Sequence, residues 1–225
     1  MVNRPLSNGG PLAGRSRGRP QVVKPTQVAT LRAPSVCRLW NKPPAQRGYG
    51  DMVLIPTHPV PSLSLPLISG GSTDDLALGT GVDGRFSLVI FYRGLHCPVC
   101  RKQLAEVRRR LDELRDASIG RVVAVSMENE ERSLAVVEQW RLGELDVAYG
   151  LSEASAREWG LFISTAITEG EPARFNEPGM FILDRDATLY WSSVASMPFG
   201  RPALDDIIAG VKYAEEKHYP ARGAA

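Results

Sequence analysis

Ser87-Leu88-Val89-Ile90-Phe91-Tyr92-Arg93-Gly94-Leu95-His96-Cys97-Pro98-Val99-Cys100 is the stretch whose reading decides the fold. An apolar run of strand length meets a short turn containing Gly94, and two cysteines then open a helical run from Arg101 to Arg115. Leu104, Val107, Leu111 and Leu114 recur at steps of three and four, the period of one helix face. Carried backwards, that rhythm reaches Cys100 and then Cys97, which predicts Cys100 on the core-facing stripe of the first turn. Cys97 falls at or just before the helix start, where unpaired N–H groups and the positive dipole end favour a thiolate. Pro98 suits this geometry, since proline is tolerated in a first helical turn. The expectation is an exposed, acidified Cys97 and a recessed Cys100, close enough for a disulfide.

Two cysteines at a strand-to-helix junction make plain core packing a poor explanation. A structural zinc site needs four ligands, and only Cys37, His58, His96 and His218 remain, none at paired spacing. No metal is expected.

The chain has 225 residues, enough for one ordinary domain and an extension, and its apolar fraction of 43% supports a real core. Its apolar runs fall well short of a membrane span. The net charge of +2 hides an asymmetry: residues 1–50 hold nine Lys/Arg and no acid, leaving 18 basic against 25 acidic residues beyond them. A net of −7 over residues 51–225, with no basic stripe, gives no reason to expect nucleic acid as a partner. Three cysteines fit a reducing compartment, and a cytoplasmic location is expected.

Residues 1–51 are read as a basic extension, disordered or non-native, with Met52 as an alternative start. They are rich in Pro, Gly, Ser and Arg and show no apolar periodicity. No continuous hydrophobic segment follows the first basic residues, which argues against a secretory signal. The acid-free composition resembles an organelle transit peptide, but its prolines and glycines oppose the amphipathic helix such a peptide needs. Cys37 is read as a bystander. Residues 52–225 form the domain. An extended lead-in to Gly84 includes a short edge strand at Pro61–Pro66. Strands follow at Ser87–Tyr92 and Ile119–Val125, then a helix capped by Asn129 that runs to Trp140 with Leu134, Val137 and Trp140 inward. A strand over Asp146–Leu151 and a short helix from Ser152 to near Trp159-Gly160 come next. Leu161–Glu177 reads as a loop lining a site. Strands at Met180–Leu183 and Thr188–Val194 make a hairpin, and Leu204, Ile207, Ile208, Val211 and Ala214 mark a closing helix. This order implies an α/β fold: a mixed central sheet with helices on both faces.

A strand feeding a Cys-x-x-Cys helix in such an arrangement is the thioredoxin-like signature. Glu177-Pro178 stands just before the Met180 strand, where thioredoxin-like folds place a cis-proline facing the cysteine pair. The fuller match lies in Phe91–Arg101, Asn176-Glu177-Pro178-Gly179-Met180-Phe181, Ser196-Met197-Pro198-Phe199-Gly200-Arg201-Pro202 and Tyr219-Pro220-Ala221-Arg222-Gly223. Together they resemble the peroxiredoxin-like branch of the alkyl hydroperoxide reductase/thiol-specific antioxidant (AhpC/TSA) family, over roughly residues 60–223. The resemblance implies a thioredoxin fold with a peroxiredoxin-type N-terminal lead-in, and thiol-dependent reduction of peroxides or disulfides. The chain departs from the family pattern in informative ways. Arg93 stands where the family has a proline, Cys97 where it has a threonine, and Cys100 at the peroxidatic cysteine. The family's peroxide-activating arginine falls at Pro178. Arg93 or Arg201 is a candidate to supply the missing cation.

The site is therefore expected to hold Cys97 and Cys100 as redox cysteines, with His96, Pro178 and Arg93 binding substrate or tuning the thiols. In a peroxidase, one thiolate becomes a sulfenic acid that the other cysteine captures as a disulfide; exposure favours Cys97 for this and family alignment favours Cys100. In a dithiol-disulfide oxidoreductase, Cys97 attacks and Cys100 resolves. A third reading is a non-catalytic binding protein on a redox scaffold. The expected partners are a peroxide or disulfide substrate and an external reductant, thioredoxin or a low-molecular-weight thiol, with no cofactor. A homodimer is one oligomeric state left open.

Overall fold

The computed structural model describes residues 53–79 and 84–225. The basic extension lies outside the described residues. In chain order the elements are β1 (Phe86–Phe91), α1 (Pro98–Arg109), α2 (Leu111–Asp116), β2 (Ile119–Val125), α3 (Glu130–Trp140), β3 (Asp146–Ala148), α4 (Glu153–Glu158), β4 (Ile163–Thr165), β5 (Arg174–Asn176), β6 (Gly179–Leu183), β7 (Leu189–Val194) and α5 (Leu204–Glu216).

β1 is buried along its whole length, as a central strand covered on both faces must be. It lies in a five-stranded sheet of order β3-β2-β1-β6-β7. β1, β2 and β3 run parallel, and β6 and β7 pair antiparallel, the expected hairpin. Side chains alternate across β1 with period two. Phe86, Leu88, Ile90 and Tyr92 face a core built with Leu104 and Val107 of α1, Leu114 of α2, Val136 and Trp140 of α3, and the apolar stripe of α5. Val89 and Phe91 face the other side, against Trp159, Phe181, Leu63 and Leu67. Helices therefore flank both faces, but unequally: four cover the first, while the six-residue α4 and the lead-in cover the second. There Trp159 fills the space with its ring 5.1 Å from Phe91 and 5.0 Å from Phe181.

Several local expectations need correcting. The Pro61–Pro66 segment is no strand; among the described residues the strand-like pairing of the lead-in is limited to isolated bridges, Pro59 to Thr188, Pro66 to Ser72 and Leu67 to Ala148. Its prolines carry no N–H with which to build a ladder. A one-turn 3₁₀ helix follows at Thr73–Leu76, with Ser72 closing a capping box. The run predicted as one helix breaks at Arg110, and Leu111 is only half-buried. In α3 the buried residues are Ser133, Val136 and Trp140, while Leu134 is 46% exposed. The edge-on contact of Trp140 with Tyr92, 6.0 Å between rings, fixes the rotation of α3 and turns Leu134 outward. β3 stops at Ala148, because Gly150 takes a positive φ of 76° and gives its N–H to the Glu128 carbonyl. Among the described residues no helix is long and apolar enough to cross a membrane.

Candidate active site

The site forms where β1 ends. Tyr92 extends the ladder with one more bond, from its N–H to the Val125 carbonyl. On the other side the register pairs Phe91 with Gly179, which brings Pro178 and Glu177 alongside Tyr92 and Arg93. Asn176, fully buried, ties these strands together: its Nδ2 donates to the Tyr92 carbonyl (3.1 Å) and its Oδ1 accepts from the Met127 N–H (3.2 Å). The chain then turns at Gly94, whose φ of 133° suits only glycine and whose missing Cβ leaves room for the Glu128 carboxylate. That buried carboxylate accepts the Leu95 N–H at 2.9 Å and bonds Arg132 Nε. A bond from the Cys97 N–H to the Gly94 carbonyl closes the turn and delivers Cys97 to the helix start.

Cys97 is the N-cap of α1, with Pro98 following at the first helical position. Its Sγ accepts the Cys100 N–H at 3.3 Å and the Cys100 thiol, 2.7 Å away. Both cysteines are free thiols. The hydrogen bond from Cys100 and the helix-start N–H together pull the Cys97 thiol down to about 6, against the cost of burial. Burial and the bond to Cys97 push Cys100 well above the ordinary value, so one negative charge is shared with the proton held by Cys100. The expected acidified and recessed partners are both present. The expected exposure of Cys97 is not: it is 1% exposed, because the apolar face of α1 turns both sulfurs into the sheet core.

Arg201, on the segment between β7 and α5, supplies the cation. Its Nη2 donates to Cys100 Sγ at 3.0 Å and lies 4.0 Å from Cys97 Sγ. Gln103 of α1 holds it, accepting from Nη1 on Oε1 and donating from Nε2 to Met180 Sδ at 3.1 Å. The Arg93 backbone N–H also reaches Cys100 Sγ, at 3.4 Å. Gln103 had no marker in the sequence beyond a position three residues past Cys100, and Glu128 none beyond following a buried strand.

The other expected site residues lie behind the sulfurs. The Arg93 side chain turns away, its Nε 3.2 Å from Glu177 Oε2, its Nη2 3.5 Å from Glu171 Oε1, and its guanidinium 4.7 Å above the Phe175 ring. It is committed to carboxylates, as a desolvated arginine beside buried acids must be. His96 packs edge-on against Phe175 (4.7 Å between rings, 60° between planes) near Glu128, and among the described residues neither ring nitrogen has a hydrogen-bond partner. Burial and the neighbouring Arg93 charge hold its imidazole below 6.5, so it brings no positive charge to the thiols at neutral pH. Pro178 is buried beside the site, but its peptide bond is trans: the described residues contain no cis bond. Leu161–Glu177 is more ordered than a loop. It contains the β4–β5 hairpin, whose Phe175 and Glu177 pack under Arg93, with Ser164 Oγ donating to Glu177 at 2.6 Å.

A cleft of about 300 Å³ opens beside Arg201, lined also by Val99, Gln103, Met180 and Phe199 among others, with neither cysteine in its lining. Among the described residues no group of three or more His, Cys, Asp or Glu is placed to hold a metal ion.

Known structures share this architecture. A serine-for-cysteine mutant of peroxiredoxin 6 from Arenicola marina superposes with a TM-score of 0.59 at 14% identity, over 74% of this chain and 76% of its own. The peroxidoxin BcpB of Mycobacterium tuberculosis gives 0.57 at 16%, over 72% and 98%. Reduced Prx3 of Vibrio vulnificus in complex with hydrogen peroxide gives 0.58 at 16%, over 71% and 99%. Comparison with curated proteins finds no match. Residues 56–192, more than half of the chain, match the family model of the AhpC/TSA family. A helix-start thiol on a thioredoxin fold and this match lead to one assignment: the chain belongs to the AhpC/TSA family, as a thiol-dependent oxidoreductase.

Proposed function

We propose that the protein reduces hydroperoxides through a Cys97–Cys100 dithiol cycle, with Cys97 as the attacking thiolate. The observation that carries this is the unequal pair: Cys97 lowered to about 6 at the α1 N-cap, Cys100 raised and holding the proton. Cys97 attacks one peroxide oxygen; an S–O bond forms, the O–O bond breaks, and the leaving oxygen takes a proton to become water or an alcohol. The resulting sulfenic acid is attacked by Cys100, the S–OH bond breaks, hydroxide leaves as water with the Cys100 proton, and a disulfide remains. Two external thiols restore the dithiol by exchange. Burial of Cys97 favours a slim peroxide group over a protein disulfide, which would meet exposed Pro98 and Val99 first. For the same reason a low-molecular-weight thiol suits the return step better than a protein reductant. A cytoplasmic setting fits a dithiol that must be kept reduced. His96, Pro178 and Arg93 then act as scaffold for the cysteine turn.

The second reading, a dithiol-disulfide oxidoreductase, is favoured by Cys-Pro-Val-Cys at a helix start. The test is to give the reduced protein hydrogen peroxide, an organic hydroperoxide and a protein disulfide in parallel. Peroxide consumption far above that of free cysteine, with little disulfide exchange, is expected. The reverse pattern would replace the peroxidase with the oxidoreductase.

A further inference from the structure

The cation of the site lies closer to the thiol that keeps its proton. Arg201 Nη2 is 3.0 Å from Cys100 Sγ and 4.0 Å from Cys97 Sγ, and the Arg93 N–H adds a second donor to Cys100. Among the described residues Arg201 has no carboxylate within ion-pair distance; its bonds go to Cys100, Cys97 and Gln103, and its buried Nε has no partner. A guanidinium gains little from a neutral thiol and much from a thiolate. Cys100 becomes a thiolate only after Cys97 has been oxidised, when the negative charge beside it has gone.

Resting on the peroxidase cycle above, we propose that Arg201 is the catalytic residue of the resolving half-reaction. It stabilises Cys100 as the thiolate that attacks the Cys97 sulfenic acid, and again as the leaving thiolate when an external thiol attacks the disulfide. In the first step the Cys100 S–H bond breaks, the new S–S bond forms, and the Cys97 S–OH bond breaks with release of water. In the second, the reductant sulfur bonds Cys97 and the S–S electron pair returns to Cys100. A low-energy leaving group steers the incoming thiol to the other sulfur, so the mixed disulfide forms on Cys97. Gln103 is the positioning residue: bridging Met180 Sδ and Arg201 Nη1, it keeps the guanidinium over Cys100.

The test is rapid-quench oxidation of the reduced protein by hydrogen peroxide, with a sulfenic-acid trap, a thiol alkylator and mass spectrometry. In Arg201→Met disulfide closure should slow about ten- to hundredfold, the worth of one hydrogen bond to a charged group, so that the sulfenic acid persists; its formation, touched only through the longer contact to Cys97, should slow by much less. Arg201→Lys should recover part of that loss, and Gln103→Leu should show a smaller delay in the same step. Slowed sulfenic-acid formation with unchanged closure would overturn the assignment. A second arm needs no peroxidase activity: in Cys97→Ser, the pH midpoint for alkylation of Cys100 should rise by about one unit or more when Arg201→Met is added. If wild type ignores peroxide yet this midpoint moves, the peroxidase reading fails and the Arg201–Cys100 pairing stands. If the midpoint stays still, the pairing fails.

Discussion

Two arginines flank the cysteine turn, and they are used in opposite ways. Arg93, four residues before Cys97, lies against Glu177 and Glu171 over the Phe175 ring. Arg201, more than a hundred residues later, has Cys100 Sγ and the Gln103 amide as neighbours. On the carboxylate side, Glu128 and Glu177 are buried and matched by arginines, so their charge is spent on holding the Gly94 turn and the β4–β5 hairpin. On the sulfur side the cation is left open toward the thiols. Nearness in sequence to a nucleophile does not make a cation available to it; the acids that surround the cation decide.

This contrast can be broken by substitution. Arg93→Met strands Glu177 as a buried, unpaired carboxylate and should cost about 3–5 kcal/mol, read as a large fall in the denaturant midpoint. Arg201→Met strands no acid and should cost less than about 1 kcal/mol in the same measurement. Equal losses would erase the distinction. Gly94→Ala combines a φ of 133° with overlap on the Glu128 carboxylate, and about 1–3 kcal/mol should be lost.

The remaining predictions concern the thiols. Alkylation of Cys97 should rise with pH to half its maximum near 6. Cys100→Ala removes the largest cause of that lowering and should move the midpoint toward the ordinary thiol value, while Cys100→Ser keeps a hydroxyl donor and should move it less. A thiol whose folded pKa lies at about 6, against an unfolded value of 9.0, makes the reduced fold gain stability as pH rises between them and lose it as pH falls through 6. The raised Cys100 opposes this above 9.0. The smallest effect belongs to His96→Phe. A neutral imidazole edge-on to Phe175 contributes no charge, so the Cys97 midpoint should stay within about 0.3 units.

What the sequence revealed follows the same division. The β1 run, the helix stripe through Cys100 and the Asn129 cap are local signals, and the structure has them nearly to the residue. The order in Leu161–Glu177 comes from partners far away in the chain, Arg93 with Glu171 and Glu177 and Asn176 with Tyr92, and no window of sequence contains both halves. The same holds for Cys97. Its place at the helix start was legible, but its burial depends on how α1 lies on the sheet. Pro178 sits where thioredoxin-like folds place a cis-proline, yet in the trans form. Arg93 and Arg201 were indistinguishable as letters, and only the carboxylates around them separate the two.

The central claim is that Cys97 is the thiolate that meets peroxide. The most direct measurement mixes reduced Cys97→Ser and Cys100→Ser with hydrogen peroxide in the presence of a sulfenic-acid trap, and maps the product by mass spectrometry. The account predicts fast reaction in Cys100→Ser with the sulfenic acid on Cys97, and in Cys97→Ser only the rate of a free thiol. Fast reaction in Cys97→Ser, with the sulfenic acid on Cys100, would contradict it.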